Sequence, residues 1–534
     1  KICFLLASQL MMLPLDYCIS QSLAGLAYCG LKVPKINQID AILVQQEYQA
    51  LQTLLNQQSW QEQAKRSLDN VIPENIALSY RLYAQLVAAS QVSGNPSIFF
   101  YAAYKGLSTA LVSGPNEQSI ILYTTYSVGS AKQGNFKEAH QAAKVALALL
   151  EHYSHCADAP YINMALGTFV WHFEHPLKDA IVLQEKAHEI GYEFGDISRG
   201  VVAGYSNSLI SKYAQGLSLN QLQSQLSILS TLIDKHGVKI AAGSYYPRLV
   251  SMLTEPETPN QFQASAFAPE EWRLIQSCVL KAFIEHLQIQ AYFWRDQQSD
   301  AWQAVNVAEA SLPMMSGFVT APEQRFIAAL LSIRQSEDSQ HPFIQRSLDE
   351  LNELNGLCPE NFTHKLALLN AERALATGQS IEQLAPLYQQ AIDSAEANGF
   401  LQYQALANEL YGRAWLSKNI NPMAKIHLQH AKTLYRNWGC TVKVHNLKNE
   451  FVDLFQGSAS DDHSTAETKQ ETLVSSTKVG TQSSTQTTSL EGLDLNSVMK
   501  SALVISGELE VKNLLAKVMQ VIVENSGAQQ AAFI

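Results

Sequence analysis

The sequence predicts an all-α body of stacked helical hairpins over residues 1–456, a flexible segment at 457–491, and the opening of a further domain at 492–534. Three observations predict this. Apolar residues recur at helical spacing through the long first segment, alanines seven residues apart punctuate it, and the composition changes abruptly at Gly457.

The first stretch, Lys1-Ile2-Cys3-Phe4-Leu5-Leu6 through Met11-Met12-Leu13-Pro14-Leu15, places a cation before an apolar core, as a signal peptide does. Polar Ser8 and Gln9 interrupt that core and no initiating Met precedes it, so a helix met in mid-array is the expected reading. No apolar run in the sequence approaches the ~20 residues that a bilayer span needs.

The hairpins are read from alanine pairs: Ala139 and Ala146, Ala180 and Ala187, Ala301 and Ala308, Ala424 and Ala431. Seven residues is nearly two helical turns, so each pair lies on one face, where small side chains let a neighbouring helix approach closely. Gly134 and Phe136 before the first pair, and Tyr411 and Gly412 before the last, stand where a tetratricopeptide-like repeat has its turn glycine and its first-helix contact. Trp171 and Trp415 each precede the first alanine of their unit by nine residues. These alanines, with Gly412, are the residues expected to pack one helix against the next. The units recur nearer forty residues than the ~34 of the standard repeat, so the array is expected to be degenerate. A hairpin of this kind cannot bury its own apolar face, and stacking is expected to give a curved superhelix with a concave surface. Between Leu219 and Phe267 the pattern thins, and an irregular insertion is expected there.

From Gly457 to Glu491, Ser, Thr, Gln, Asp and Lys dominate and no period survives, which predicts a flexible tether. Beyond it, Leu495, Val498, Met499 and Ala502, then Val511, Leu514, Leu515, Val518 and Ile522, give two amphipathic helices broken at Ser506-Gly507. Gly527 is placed as a helix stop, and Ala531-Ala532-Phe533-Ile534 as the start of a strand. A strand needs neighbours, so the chain is expected to end inside a domain.

The 534 residues are 47% hydrophobic, enough for a sizeable core, and 37 Lys and Arg stand against 48 Asp and Glu, a formal charge of -11. No dense basic run offers a phosphate-binding stripe, which argues against nucleic acid as a partner. The seven cysteines are scattered, odd in number and never in a C-x-x-C pair, the pattern of reduced thiols in a cytoplasmic protein.

Catalytic signatures are missing from the sequence. It contains no G-x-x-x-x-G-K-[ST] phosphate loop, no G-x-G-x-x-G and neither H-R-D nor D-F-G, so no catalytic residue, cofactor or metal ligand is assigned. Two histidine groups, His152, His155 and Cys156, and His172 with His175, have spacing that metal ligands use. Neither has an H-E-x-x-H core, and solvated or helix-terminal histidines are the favoured reading. Tyr245, Tyr246, Tyr292, Phe293, Trp294 and Trp302 line either a groove or the core, with core favoured at helical spacing. Glu270 with Glu271 and Asp461 with Asp462 are adjacent carboxylates that point apart and are read as solvated charge.

Several stretches carry a family resemblance. LDLNSVMKSALVISGELEVKNLLAKVMQVIVENSGAQQAAFI resembles the start of a GAF sensor domain in large bacterial proteins described as trifunctional serine/threonine kinase, ATP-binding protein and sensor histidine kinase. Gly30-Leu31-Lys32-Val33-Pro34, Leu166-Gly167 through Trp171 with His175, Leu177, Gly195 and Asp196, and above all Lys365 to Gly439 with NAERALATG, QALANELYGRAWL and TLYRNWG, resemble that family's helical repeat region. The resemblance implies a kinase domain and an AAA-type ATPase upstream and a histidine kinase downstream, with ATP bound in those domains and no cofactor here. It implies a non-catalytic regulatory segment whose partners are the neighbouring kinase, ATPase and GAF domains, or a protein or small ligand on the concave face. A small-molecule-sensing repeat domain and a free-standing interaction adaptor are the alternatives.

Overall fold

The computed structural model describes residues 15–57, 59–65, 72–153, 155–238, 242–275, 278–335 and 342–455. All the regular secondary structure among the described residues is helical. The chain divides into two compact units, Lys1–Ala459 and Ser460–Ile534. The described residues all fall in the first; the expected tether at 457–491 and the expected GAF start at 492–534 lie outside them, as do residues 1–14.

The longer helices are α1 (Leu15–Tyr28), α2 (Ala41–Gln57), α3 (Glu74–Ser93), α4 (Pro96–Ser113), α5 (Ile120–Lys132), α6 (Phe136–His152), α7 (Ala159–Phe169), α8 (Leu177–Glu193), α9 (Ala203–Gln215) and α10 (Leu219–His236). They continue as α11 (Tyr246–Thr254), α12 (Cys278–Trp294), α13 (Gln298–Ala308), α14 (Thr320–Gln335), α15 (Pro342–Leu357), α16 (Pro359–Ala376), α17 (Ile381–Ala397), α18 (Leu401–Ser417), α19 (Asn421–Trp438) and α20 (Thr441–Glu450). From α3 onward each helix packs on the next, and α5 also meets α7, α7 meets α9, α14 meets α16 and α16 meets α18. This is the contact pattern of two layers, with alternate helices on the inside.

The sequence sets which helix takes which layer. α5 is buried at every position from Ile120 to Ala131, and α18 at nearly every position from Gln402 to Gly412, as helices without a polar stripe must be. α6 instead buries one face, Ala139, Ala142, Ala143, Ala146 and Leu149, and α19 buries Ala424, Leu428, Ala431, Tyr435 and Trp438. Those stripes have the helical period, and the opposite faces carry the charge that water solvates.

Where an open concave surface is expected, the described chain closes on itself. Asn361 of α16 donates from Nδ2 to the His172 and His175 carbonyls at 2.7 and 2.8 Å and accepts from the Leu177 amide at 2.9 Å. Gln402 of α18 donates to the Ala214 carbonyl at 2.7 Å, and Gln215 to that of Asn398 at 3.2 Å. α20 is tied back to the ends of α11 and α12 by Thr441 on the Thr254 carbonyl and Asn446 on the Arg295 carbonyl. Gly216, in the left-handed region at φ 101°, makes this approach possible: a Cβ there would lie 2.7 Å from the Leu401 amide. Helices α16 to α20 thus meet the α7–α12 region along this seam.

The region expected to hold an insertion is more regular than its sequence suggests. α10 packs on α9 through Leu219, Leu222, Leu226 and Leu229, and α11 follows. Among the described residues its longest irregular stretch is 255–268, broken by a 3-10 turn at Ala264–Ala266.

Candidate functional site

The residues expected to pack the repeats sit inside the helix pairs. Ala139, Ala146, Ala180, Ala187, Ala301, Ala308, Ala424 and Ala431 are all at 0–1% exposure. At Gly412 of α18, an added Cβ would lie 2.7 Å from Leu428 Cγ and 3.3 Å from the Ala424 carbonyl oxygen of α19. The equivalent approach in an earlier unit is made by Gly167 of α7, where a Cβ would stand 2.7 Å from the Ala180 carbonyl oxygen. In the first unit Ser127 Oγ donates to the Ala139 carbonyl at 2.7 Å. A small residue on the inner helix, meeting the carbonyl of the first alanine on the outer one, is the shared device. Ser127 was not singled out by the sequence; its signal was its spacing of twelve residues before Ala139.

The histidines separate. His152 and His155 are exposed, while Cys156 is buried with its Sγ 3.9 Å from the Glu117 carbonyl. The five cysteines whose side chains are described, Cys18, Cys29, Cys156, Cys358 and Cys440, carry no disulfide. His172 is buried in a 3-10 turn with neither ring nitrogen hydrogen-bonded, and burial pushes it down to about 3. His175 turns instead to His140, the two Nε2 atoms 3.2 Å apart, and stacks on Trp171. Burial, with Lys144 and His175 nearby, takes His140 down to about 4. No group of three or more His, Cys, Asp or Glu among the described residues is arranged to hold a metal ion. Tyr245, Tyr246, Phe293 and Trp294 are core residues, and Tyr292 and Trp302 pack against the core. Glu271 faces Arg248 at 3.7 Å; Asp461 and Asp462 lie outside the described residues.

Charges buried in the later half form closed sets that the sequence did not reveal. Lys443 of α20 lies between Asp296 and Glu409, 2.9 Å from the Glu409 carboxylate, which also takes Arg413 at 3.0 Å and the Tyr435 hydroxyl at 2.8 Å. Burial disfavours charge on Lys443, but the two carboxylates outweigh it and raise its pKa. Lys365 pairs with Glu323 at 2.8 Å, and the Tyr403 hydroxyl donates to the same carboxylate. Glu372 accepts from the Tyr388 hydroxyl at 2.5 Å and faces Arg334 at 3.4 Å. Each set joins different helices around a buried member, Lys443 with Glu409, Lys365 with Glu323, and Glu372, while Asp296, Arg413 and Arg334 reach the surface, which makes each a structural tie.

Lys132 is different. It ends α5 at a cleft of about 300 Å³ lined by Gln91, the Gly94–Pro96 turn, Phe99, Phe100, Gln133, Val279 and the Pro313–Ser316 turn. Its ammonium lies 5.6 and 5.5 Å from the ring centroids of Phe99 and Phe169, and it has no carboxylate within ion-pair distance among the described residues. Loss of hydration pushes it down to about 8. Nothing in the sequence marks it, since a lysine in the last turn of a helix is ordinarily a partner for the helix dipole. Chemically the cleft presents one cation to an apolar, half-enclosed space, the general form of a small-ligand site. No protein-family model matches this chain, and no curated protein sequence is significantly similar to it.

Proposed function

We propose that this chain is a non-catalytic regulatory body of a bacterial multidomain signalling kinase, cytoplasmic, with a tetratricopeptide-like superhelix as its architecture and a GAF domain beginning at 492. The observation that carries the reading is the repeated close approach at Ser127, Gly167 and Gly412, which makes successive hairpins variants of one unit. The polar ties between α7–α12 and α16–α20 then couple distant hairpins, so that binding at one place biases the whole body. With that seam closed, neighbouring kinase, ATPase or GAF domains meet the outer helices. The experiment is to read the encoding DNA beyond residues 1 and 534. A phosphate-loop ATPase upstream and a histidine-kinase core downstream are expected; a start and a stop codon flanking these residues would sink the kinase assignment.

A second reading, a helical repeat domain that senses a small molecule, is favoured by the cleft at Lys132. A buried polar group in an apolar cleft is the feature that distinguishes a chemical sensor from a protein scaffold. A metabolite screen by thermal shift tests it, because a ligand bound only by the folded state raises the melting temperature.

A further inference from the structure

Several buried and half-buried cations elsewhere among the described residues reach carboxylates, and half-buried Arg295 reaches the Met252 and Pro256 carbonyls instead. Lys365 meets Glu323, Lys443 meets Asp296 and Glu409, Arg413 meets Glu409 and Glu450, and Arg199 meets Asp158 and Asp196. Among the described residues Lys132 has the faces of Phe99 and Phe169 and no carboxylate. A cation over a ring regains less than removing an ammonium from water costs. Beside this undercompensated charge is open space: the cleft begins at Lys132 and is walled by Phe99, Phe100, Val279, Pro313 and Met314. No other charged side chain among the described residues lines it.

We propose that the cleft binds an amphipathic monocarboxylate, whose carboxylate pairs with the Lys132 ammonium and whose apolar body lies against Phe99, Phe100, Val279 and Met314. This rests on the ligand-sensing reading and names its ligand class. One cation selects one negative charge; a nucleotide or a dicarboxylate would leave charge unpaired in an apolar wall. Gln91 and Ser316 at the margin offer uncharged hydrogen-bonding groups that a carboxylate's second oxygen accepts from. The volume lies at the lower end of the range for small-molecule sites, which suits a medium-chain or aryl-alkyl acid. The walls come from the α3–α4 turn and α5 on one side and from α12 and the 312–316 turn on the other, so an occupied cleft staples the early hairpins to the middle of the array.

The test uses the full chain with octanoate and 4-phenylbutyrate as probes and their neutral amides as controls, by calorimetry and thermal unfolding. A carboxylate is expected to bind at least tenfold more tightly than its amide and to raise the melting temperature saturably. Lys132→Met is expected to abolish that preference, and Lys132→Arg to keep it. Equal binding of acid and amide to the unaltered protein, a comparison that needs no variant, would overturn the carboxylate assignment and leave the sensing reading standing. An unchanged acid-to-amide ratio in a folded Lys132→Met protein would do the same. If neither acid nor amide binds at millimolar concentration, both readings fail.

Discussion

At the junction of α12, α18 and α20 the Lys443 ammonium sits between two carboxylates, whereas at the end of α5 the Lys132 ammonium sits between two phenyl rings and opens on a cleft. The first site satisfies its charge internally and raises its lysine's pKa; the second leaves the charge short of a partner and lowers it to about 8. The presence of a carboxylate partner, not the direction of the pKa, separates two uses of buried charge, since burial also lowers Lys365 although Glu323 pairs with it. A closed set joins helices and has no capacity left for anything else, while an open one is incomplete without a counter-ion. His172 and His286 belong to a third kind, bases buried neutral, pushed down to about 3 and about 4 respectively.

The largest effect expected is on that third kind. A histidine whose folded pKa lies below its unfolded value is stabilising only while it stays neutral, so stability is retained above the ordinary range near ~6.5 and lost as pH falls below it. With His140, His172 and His286 all depressed to about 3–4, the fall from pH 7 to pH 5 should cost on the order of 5 kcal/mol. Urea unfolding across that range measures it together with the contributions of His175, His364 and His427, which burial also lowers, and His172→Phe should remove about 2 kcal/mol of the pH dependence. A flat profile would show that these rings are hydrated.

Next in size is the broken pair. Glu323→Ala strands the buried Lys365 ammonium and should cost about 3–5 kcal/mol, while the double variant Glu323→Leu with Lys365→Met should recover most of it. Equal losses in single and double variants, read by denaturant unfolding, would mean that packing and not charge holds this junction. Gly167→Ala calibrates both results with a steric effect. Its Cβ meets the Ala180 carbonyl, about 1–3 kcal/mol of overpacking is expected, and the loss should not vary between pH 6 and pH 9.

The smallest effect is the one that most sharpens the contrast. Removing an incompletely paired cation should help: Lys132→Met is expected to stabilise the ligand-free protein by roughly 1 kcal/mol at pH 7, with partial exposure screening the rest. The sign follows from the depressed folded pKa. The unfolded chain binds the proton more tightly, so the unaltered protein gains stability as pH rises from about 8 towards the ordinary lysine range, and the variant's advantage shrinks over that window. A destabilised Lys132→Met would place the lysine's worth in its packed alkyl stem.

Helical periodicity and small-residue spacing are local properties, and they were legible. The alanine pairs at 139 and 146 and at 424 and 431 fall on the buried stripes of their helices, and Tyr246 and Trp294 are in the core. The closed charge sets were not legible, because Lys443 is 147 residues from Asp296 and 34 from Glu409, and no pattern in a chain announces a meeting at that distance. The reading of His172 as a solvated or helix-terminal histidine failed for a related reason, since its ring is buried. Asn361, from a helix far along the chain, fixes both carbonyls while the rings turn to different neighbours.

The sequence by itself determined that the described chain is helical, where its helices pair and which faces are apolar, since those follow from side-chain period and the steric reach of glycine and alanine over a turn or two. The tertiary structure alone decided that α16 to α20 close on the α7–α12 region and that Lys132 is left, among the described residues, without a carboxylate beside an open cleft. Both depend on which distant helices come within a few ångströms of one another, and hydrogen bonds, ion pairs and desolvation act only at that range.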